Sequence, residues 1–211
     1  MAHQTVWFST DLPEDVIDIL DKDLKDNFDN TLEDSKVGKN ITNKDIRNSQ
    51  HAWVPSDHWI CGFLWYYAHR ANRENFLYDI DNIDGRAVQY THYGVGSYYG
   101  WHTDQSIGSY YKPEAIDKKT VDGDNQQLTQ DFINTEIELV RKLSFTLQLS
   151  HHDDYEGGNV QFMNEMGKSY FAPRKRGTMI IFDSRLNHRV CKVTKGVRKS
   201  IVGWCIGPRW R

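Results

Sequence analysis

Three side chains in two distant segments could together hold a divalent metal ion. His102 and Asp104 form a His-x-Asp pair. On a β-strand, residues two apart point to the same face about 7 Å apart, so the pair would face one site. His188, far along the chain, could supply a second imidazole. Two histidines and one carboxylate on one side of an ion form the facial triad typical of mononuclear non-haem Fe(II), with positions left open.

Each of these residues has a simpler explanation when it is considered alone. A His-x-Asp pair is common by chance, and a single histidine after a strand is often structural or exposed. A second feature favours a functional site, because Arg198 and Ser200 share one face of the last predicted strand. A buried guanidinium and hydroxyl would bind a carboxylate, and Trp204 on the same face could form a wall. A solvated arginine on a surface strand is the alternative.

Two helices and many short strands would have to position these residues. Residues 11–28 have apolar side chains at helical spacing behind an Asp cap, and the aromatic segment 56–71 predicts a second, largely buried helix. Residues 29–50 are polar and predict an exposed loop or a part-ordered arm. In later segments apolar and polar residues alternate in short runs. This pattern predicts a mainly β protein with flanking helices (α+β) and a barrel or jelly-roll core. The predicted strands cover residues 76–80, 86–93, 97–104, 142–150, 159–163, 169–171, 178–182, 190–193 and 198–206.

The 211 residues suit a single compact domain in two parts. We expect residues 1–75 to be a helical and loop region that supports the core, and residues 76–211 to form the β core. The polar stretch 105–140 interrupts the strands directly after the His-x-Asp pair, and its end, 132–140, could be a short helix. Long connections in compact domains are usually functional, which predicts a lid with Tyr110 and Tyr111 as substrate contacts.

Bulk composition argues against some classes of partner. The formal net charge is −3, so no bulk attraction to nucleic acid or to an anionic membrane is expected. The chain has no apolar run of about eighteen residues and no visible signal peptide. Its three cysteines are far apart, as in proteins of reducing compartments. A cytoplasmic location is therefore expected, or a host compartment if the protein is viral.

The order of the motifs resembles the Fe(II)/2-oxoglutarate-dependent dioxygenases, and most of all the prolyl 4-hydroxylase superfamily with its small microbial and viral members. The resemblance covers about residues 76–207. The matching motifs, in chain order, are Tyr93, His102-Thr-Asp104, residues 141–150, Tyr155-Glu-Gly-Gly158, residues 176–184, His188 and Arg198-Lys-Ser200.

This resemblance implies a double-stranded β-helix, the jelly-roll fold of that family, and a role for each matching residue. Arg198, assisted by Ser200, would pair with the distal carboxylate of 2-oxoglutarate. Many collagen-type prolyl hydroxylases have a lysine at the position of Arg198, whereas the oxygen-sensing type has arginine, so a collagen-like substrate is not favoured. The implied Fe(II) ligands are His102, Asp104 and His188, and the other implied cosubstrate-pocket residues are Tyr93, Tyr99 and Gln148.

The implied activity is a dioxygenase reaction. It couples oxidative decarboxylation of 2-oxoglutarate by O₂ to hydroxylation of a C–H bond, with ascorbate as a reductant. The expected substrate is a prolyl residue in a protein or peptide. The alternatives are a free amino acid, a small metabolite or an alkylated nucleobase, and, outside catalysis, a jelly-roll binding module. A zinc hydrolase is disfavoured because it would leave Arg198 and Ser200 without a role.

Overall fold

A computed structural model describes residues 5–10, 12–36, 43–84, 88–105 and 139–210. Within these ranges the chain forms two α-helices, α1 (Glu14–Phe28) and α2 (Trp59–Ala71). The strands are β1 (Val6–Ser9), β2 (Glu33–Asp34), β3 (Arg47–Asn48), β4 (Gln50–Val54), β5 (Asn82–Ile83), β6 (Val88–Tyr93), β7 (Tyr98–His102), β8 (Leu139–Gln148), β9 (Tyr155–Gly157), β10 (Val160–Met163), β11 (Ser169–Phe171), β12 (Met179–Asp183), β13 (Asn187–Val190), β14 (Val193–Gly196) and β15 (Arg198–Pro208).

The strands form two main antiparallel sheets. The major sheet has the order β1-β12-β8-β15-β6-β4-β2, with β5 pairing beside β15. The minor sheet has the order β11-β10-β13-β7-β3, and β9 pairs with β14 in a separate ladder. The predicted mainly β architecture with flanking helices is confirmed.

Both helices cover the outer face of the major sheet. Ile17, Leu20 and Leu24 of α1 are fully buried in this layer. They share one apolar cluster with side chains of α2 and of the sheet, including Phe145 on β8. At Gly203 a Cβ atom would lie 2.4 Å from Cζ of Phe145, so glycine is needed for the two strands to pack here.

The inner face of the major sheet packs against the minor sheet. The apolar cluster between them joins Val160 and Phe162 of β10 to Ile180 and Phe182 of β12. Because side chains alternate along a strand, β8 and β15 send every second residue into this interior. The candidate functional residues of both strands belong to that inward set.

Two expectations about the N-terminal part were wrong. Residues 29–50 were expected to form a loop, but β2, β3 and the first residue of β4 lie there. Two-residue strands have too little sequence for periodicity to show, and only tertiary pairing with β4 and β7 defines them. The helix α2, expected to be largely buried, has Trp59 and Tyr66 exposed, and none of its fully buried side chains is aromatic.

The alternating segment 76–80 does not form a strand. A π-helical turn, Asn72–Phe76, continues α2, and Leu77 then adopts a left-handed conformation with φ of 55°. The side chain of Asn72 bonds both the backbone N–H and the carbonyl of Tyr78, and thereby takes the place of a neighbouring strand. The predicted strand 190–193 is also divided, since β13 ends at Val190 and β14 begins at Val193.

The predicted lid lies almost wholly outside the described residues. Of residues 105–140, only Gln105 at one end and Leu139 and Val140 at the other are described, and the last two begin β8. Tyr110 and Tyr111 lie outside this part of the chain. No described helix has the length and apolar character needed to cross a membrane.

Candidate metal centre and adjoining cavity

Two neighbouring strands of the minor sheet bring the predicted metal ligands together. His102 on β7 and His188 on β13 are directly paired across the sheet. The strand β7 ends at His102, so the expectation that His102 and Asp104 share one strand was wrong. The chain turns instead, and the backbone N–H of Asp104 donates to the carbonyl of Ser184 at 2.9 Å. Ligand atoms of all three side chains lie within 4.8 Å of one another.

The hydrogen bonds of the two histidines leave the correct nitrogen of each free for a metal. Nδ1 of His102 lies 2.7 Å from the carbonyl oxygen of Gly100, and Nδ1 of His188 lies 2.9 Å from the carbonyl oxygen of Leu186. A carbonyl only accepts, so each Nδ1 carries the proton and each Nε2 presents a lone pair. The Nε2 atoms of His102 and His188 lie 3.7 and 3.6 Å from the Asp104 carboxylate oxygens. These donors fit one Fe(II) ion.

The electrostatic surroundings favour the ionisation states that metal ligands need. Burial, assisted by the neighbouring His188, lowers the pKa of His102 to about 4, so its imidazole is neutral near pH 7. Burial acts to raise the pKa of Asp104, but the two histidines, Arg141 and a hydrogen bond from Ser144 outweigh it and keep the pKa below its ordinary value. The site therefore presents a neutral imidazole at His102 and a charged carboxylate at Asp104.

An aromatic and cationic layer covers one side of this centre. The ring of Tyr99 stacks on the ring of His102 with 3.6 Å between centroids and 18° between planes. The guanidinium of Arg47 lies 4.9 Å from the centre of the Tyr99 ring. Burial raises the pKa of Tyr99 to about 12, so its hydroxyl remains protonated. Tyr99 is thus a neutral wall beside the metal ligands.

The predicted metal ligands line a cavity that extends to a buried arginine on β15. Arg198 is only 1% exposed, and its Nε donates to Oε1 of Gln148 at 3.1 Å. Its guanidinium carbon lies 5.5 Å from the centre of the Tyr93 ring, and no carboxylate of the described residues forms an ion pair with it. At Gly158 a Cβ atom would lie 3.2 Å from Cδ of Arg198, so this glycine gives the arginine room. A buried cation without an anion fits an acidic ligand.

Further polar atoms around the cavity support this interpretation. Nε2 of Gln148, Oγ1 of Thr146 and Nε1 of Trp204 are buried and have no hydrogen-bond partner among the described residues. Buried polar groups are normally hydrogen-bonded, so unpaired donors here indicate a missing acceptor. Arg198 and the two of these residues that line the cavity, Thr146 and Trp204, fit the carboxylate and keto oxygens of 2-oxoglutarate.

Most of the predicted residues meet at this cavity. Seven of them line it: Tyr93, Tyr99, His102, Asp104, His188, Arg198 and Trp204. Gln148 lies behind Arg198. Ser200 is buried but is not among the lining residues. The Thr91 hydroxyl donates to the carbonyl of Ser200 at 3.0 Å, so in the 2.8 Å contact between their hydroxyls Ser200 is the donor. Its single proton is therefore not available to a carboxylate in this arrangement.

Sequence reasoning missed three residues near the site. Arg47 lines the cavity, is 7% exposed, and comes from the segment expected to be a loop. Its Nε donates to Ser49 at 3.0 Å, and it also donates to Gln89 at 3.1 Å. No spacing pattern indicates it. Ser144 and Thr146 could have been found, because they are polar residues at alternate positions of an otherwise apolar strand.

Comparison with known proteins places this site in context. A model of the 2OG-Fe(II) oxygenase superfamily matches residues 88–206. A PKHD-type hydroxylase of Synechococcus sp. (strain CC9311) is 44% identical over 62 residues, which are 29% of this chain and 28% of that protein. A PKHD-type hydroxylase of Idiomarina loihiensis is 29% identical over 117 residues, or 56% of this chain and 40% of that protein. The matches therefore span less than half the length of these relatives.

Solved structures share the fold at low sequence identity. A prolyl-4-hydroxylase of Pseudomonas putida has a TM-score of 0.67 at 16% identity, with 99% of this chain and 94% of that chain covered. A prolyl hydroxylase of Trichoplax adhaerens, in complex with a hypoxia inducible factor peptide fragment, has a TM-score of 0.66 at 15% identity, with 96% and 84% covered. These likenesses confirm the predicted double-stranded β-helix.

Proposed function

Because the chain belongs to the 2OG-Fe(II) oxygenase superfamily, we propose that it hydroxylates a prolyl residue in a protein or peptide. The cofactor and cosubstrates of this family are Fe(II), 2-oxoglutarate and O₂, which together supply the oxidising chemistry that converts C–H into C–OH and releases succinate and CO₂. The observation that carries the proposal is that the two-histidine, one-carboxylate cluster lines one cavity with a buried arginine that has no carboxylate partner among the described residues.

In this proposal the residues of the minor sheet hold the metal. His102, Asp104 and His188 bind Fe(II) from one side, and the carbonyls that accept from the two Nδ1 atoms fix the orientation of both rings. Tyr99, stacked on His102, restricts the motion of that ring and keeps water from it. The chain thereby holds the metal ligands in place before any substrate is bound.

The residues of the major sheet hold the cosubstrate. Arg198 pairs with the distal carboxylate of 2-oxoglutarate, and Gln148 orients the guanidinium through its 3.1 Å hydrogen bond. Tyr93 and Trp204 form apolar walls of the same cavity. Ser200 contributes through its bonds to Thr91, which tie β15 to β6 behind the cavity.

A prolyl substrate is supported by what the chain resembles and by the residue at the anion site. The similar solved proteins include prolyl hydroxylases, one of them with a bound peptide fragment. Arginine at position 198, in place of the lysine of many collagen-type relatives, favours a substrate other than collagen. The proposal therefore names a proline-containing peptide segment of a non-collagen protein.

A peptide panel tests the prolyl assignment. The protein is incubated with Fe(II), 2-oxoglutarate, ascorbate and proline-containing peptides, each beside a copy with alanine in place of proline. We expect one peptide to stimulate succinate formation and to gain one oxygen atom on its proline, as read by fragment mass spectrometry. Turnover that no proline peptide stimulates, with oxidation of an added free amino acid instead, would contradict a prolyl substrate and leave the oxygenase class standing.

Arg47 gives a prediction about substrate binding. Arg47 lines the cavity, and its guanidinium lies 4.9 Å from the centre of the Tyr99 ring, whereas we assign the distal carboxylate of the cosubstrate to Arg198. Replacing Arg47 with glutamine should raise KM for the peptide by about 10-fold or more, because a hydrogen bond to a charged group contributes roughly 1.5–3 kcal/mol. Steady-state kinetics at saturating 2-oxoglutarate would measure the change.

Arg189 provides the matched control for this substitution. It neighbours His188 on β13, lies over Trp101 at 4.7 Å and is not among the residues that line the cavity. Replacing Arg189 with glutamine should leave KM for the peptide within about twofold of the original, because Arg189 donates to Gln161 on β10 and does not line the cavity. An Arg47 variant with a raised KM for 2-oxoglutarate and an unchanged KM for the peptide would show that Arg47 serves the cosubstrate instead.

A further inference from the structure

The strand β8 sends polar side chains into the interior at three consecutive inward positions. Ser144, Thr146 and Gln148 alternate with Leu143, Phe145 and Leu147, which pack in the apolar layer under the helices. Ser144 and Gln148 are almost completely buried, and Thr146 is 5% exposed. Burying hydroxyls is unfavourable unless they are hydrogen-bonded. We call Ser144, Thr146 and Gln148 the polar stripe of β8.

One end of the polar stripe holds a metal-binding carboxylate. Oγ of Ser144 donates to Oδ2 of Asp104 at 2.6 Å and lies 2.9 Å from Oγ of Ser184. A carboxylate only accepts hydrogen bonds, so the hydroxyl of Ser144 donates to Asp104. Because Ser144 has a single hydroxyl proton, the hydroxyl of Ser184 must donate to Ser144. The carbonyl of Ser184 also accepts from the backbone N–H of Asp104 at 2.9 Å. Asp104 is thus held at its backbone and at one carboxylate oxygen.

The other end of the polar stripe holds the arginine of the anion site. Gln148 accepts from Nε of Arg198 at 3.1 Å. The strand β8 therefore runs from the partner of a metal ligand, Ser144, to the partner of the buried cation, Gln148. These two positions are four residues apart on one face, so a ligand that spans the cavity from metal to arginine passes the position between them.

Thr146 occupies that middle position and has no partner. Its side chain lines the cavity, and its hydroxyl oxygen has no hydrogen bond to any residue in the described part of the chain. The residue opposite it on β15 is Val202, which offers no polar side-chain atom. A threonine in this place therefore presents an unused donor to whatever occupies the cavity.

We propose that the polar stripe has two separate functions at the site: Ser144 is a positioning residue for Asp104, and Thr146 donates a hydrogen bond directly to the 2-oxo acid that lies between the metal and Arg198. This inference rests on the proposed function. It adds a cosubstrate contact, Thr146, and a residue that sets the orientation of the carboxylate ligand, Ser144. Neither role follows from the metal ligands or from Arg198 alone.

Two binding measurements separate the two roles. Under anaerobic conditions Mn(II), as a redox-stable probe for Fe(II), is titrated by calorimetry or electron paramagnetic resonance, and 2-oxoglutarate is then titrated at saturating Mn(II). Ser144→Ala should weaken Mn(II) binding by about 10-fold or more, the usual effect of removing the partner of a metal ligand. Thr146→Val, which keeps the shape and removes the hydroxyl, should weaken 2-oxoglutarate binding by about 3- to 10-fold, since a neutral hydrogen bond contributes roughly 0.5–1.5 kcal/mol.

The controls are the variants that keep a hydroxyl at each position. Ser144→Thr should retain Mn(II) affinity, and Thr146→Ser should retain 2-oxoglutarate affinity, each within about threefold of the original protein. Each substitution is expected to change one affinity: the Ser144→Ala variant at saturating Mn(II) should bind 2-oxoglutarate normally, and the Thr146→Val variant should bind Mn(II) normally. Retention by the hydroxyl variants shows that the hydrogen bond, and not strand packing, is responsible.

Three outcomes would overturn the inference. Unchanged affinities in both Ser144→Ala and Thr146→Val would show that neither hydroxyl contributes. Equal losses of both affinities in every variant, including Ser144→Thr and Thr146→Ser, would show that β8 acts only through packing. Failure of the original protein to bind Mn(II) or 2-oxoglutarate would overturn the proposed function together with the inference, whereas normal binding by the original protein and all four variants would overturn the inference alone.

Discussion

Replacement of Arg198 with leucine is expected to lower kcat/KM for 2-oxoglutarate by about 100-fold or more. The guanidinium is buried, and no carboxylate of the described residues is paired with it. Without it, the distal carboxylate of the cosubstrate would enter an apolar cavity unpaired, and truncating one partner of a buried charge pair costs roughly 2–5 kcal/mol. Succinate formation measured against 2-oxoglutarate concentration gives the change directly.

Two companion variants make this prediction specific. Arg198→Lys keeps the charge but loses the planar fork that donates to Gln148. Its kcat/KM for 2-oxoglutarate is therefore expected to lie between the values of the original protein and the leucine variant. Arg70→Leu removes an arginine on α2 that pairs with Glu74 outside the cavity, and it should leave KM unchanged. Mn(II) binding should survive in all three variants. A leucine variant that kept the KM for 2-oxoglutarate within threefold would place the anion site elsewhere.

Replacement of His188 with alanine is expected to abolish tight metal binding and, with it, turnover. His188 supplies one of three ligands, and its Nε2 lies 3.6 Å from the Asp104 carboxylate. Loss of a hydrogen-bond partner behind a ligand typically costs 10–100-fold in metal affinity, so loss of the ligand itself should cost more than about 100-fold. Calorimetric titration with Mn(II) or anaerobic Fe(II) measures this affinity.

The matched control is a histidine on the surface of the helical layer. His69 lies on α2 with its ring against Trp65 and takes no part in the cavity. His69→Ala should bind the metal as the original protein does. If His188→Ala and His102→Ala both retained the metal with unchanged affinity, the cluster of His102, Asp104 and His188 would not be the metal site.

The sequence predicted which side chains would lie together better than it predicted the short elements that position them. His102, His188 and Arg198 could be found because metal and anion chemistry restricts residue type, and because a strand makes alternate residues share a face. Asp104 lies beside the two histidines as predicted, although its expected location on the same strand as His102 was wrong. The chain leaves β7 at His102, and the contact with Ser184 brings the carboxylate back to the histidines.

The errors have a common physical cause, which is that tertiary partners decide what short segments do. Arg47 reaches the cavity from a two-residue strand that exists only because it pairs with β7. Ser200 points inward as alternation requires, yet its hydroxyl donates a hydrogen bond to the hydroxyl of Thr91 on β6. The side chain of Asn72 replaces a strand partner for Tyr78. None of these contacts produces a periodic pattern of apolar residues in the sequence.

One measurement tests the central claim most directly: succinate formation from 2-oxoglutarate by the purified protein, with Fe(II) and ascorbate, in air and under argon. The account predicts succinate that requires both Fe(II) and O₂, and that falls to background in His188→Ala and in Arg198→Leu while His69→Ala and Arg70→Leu remain active. Absence of succinate from metal-loaded protein, or equal succinate from His188→Ala, would contradict the assignment of this cavity as the site of a 2-oxoglutarate-dependent oxygenase.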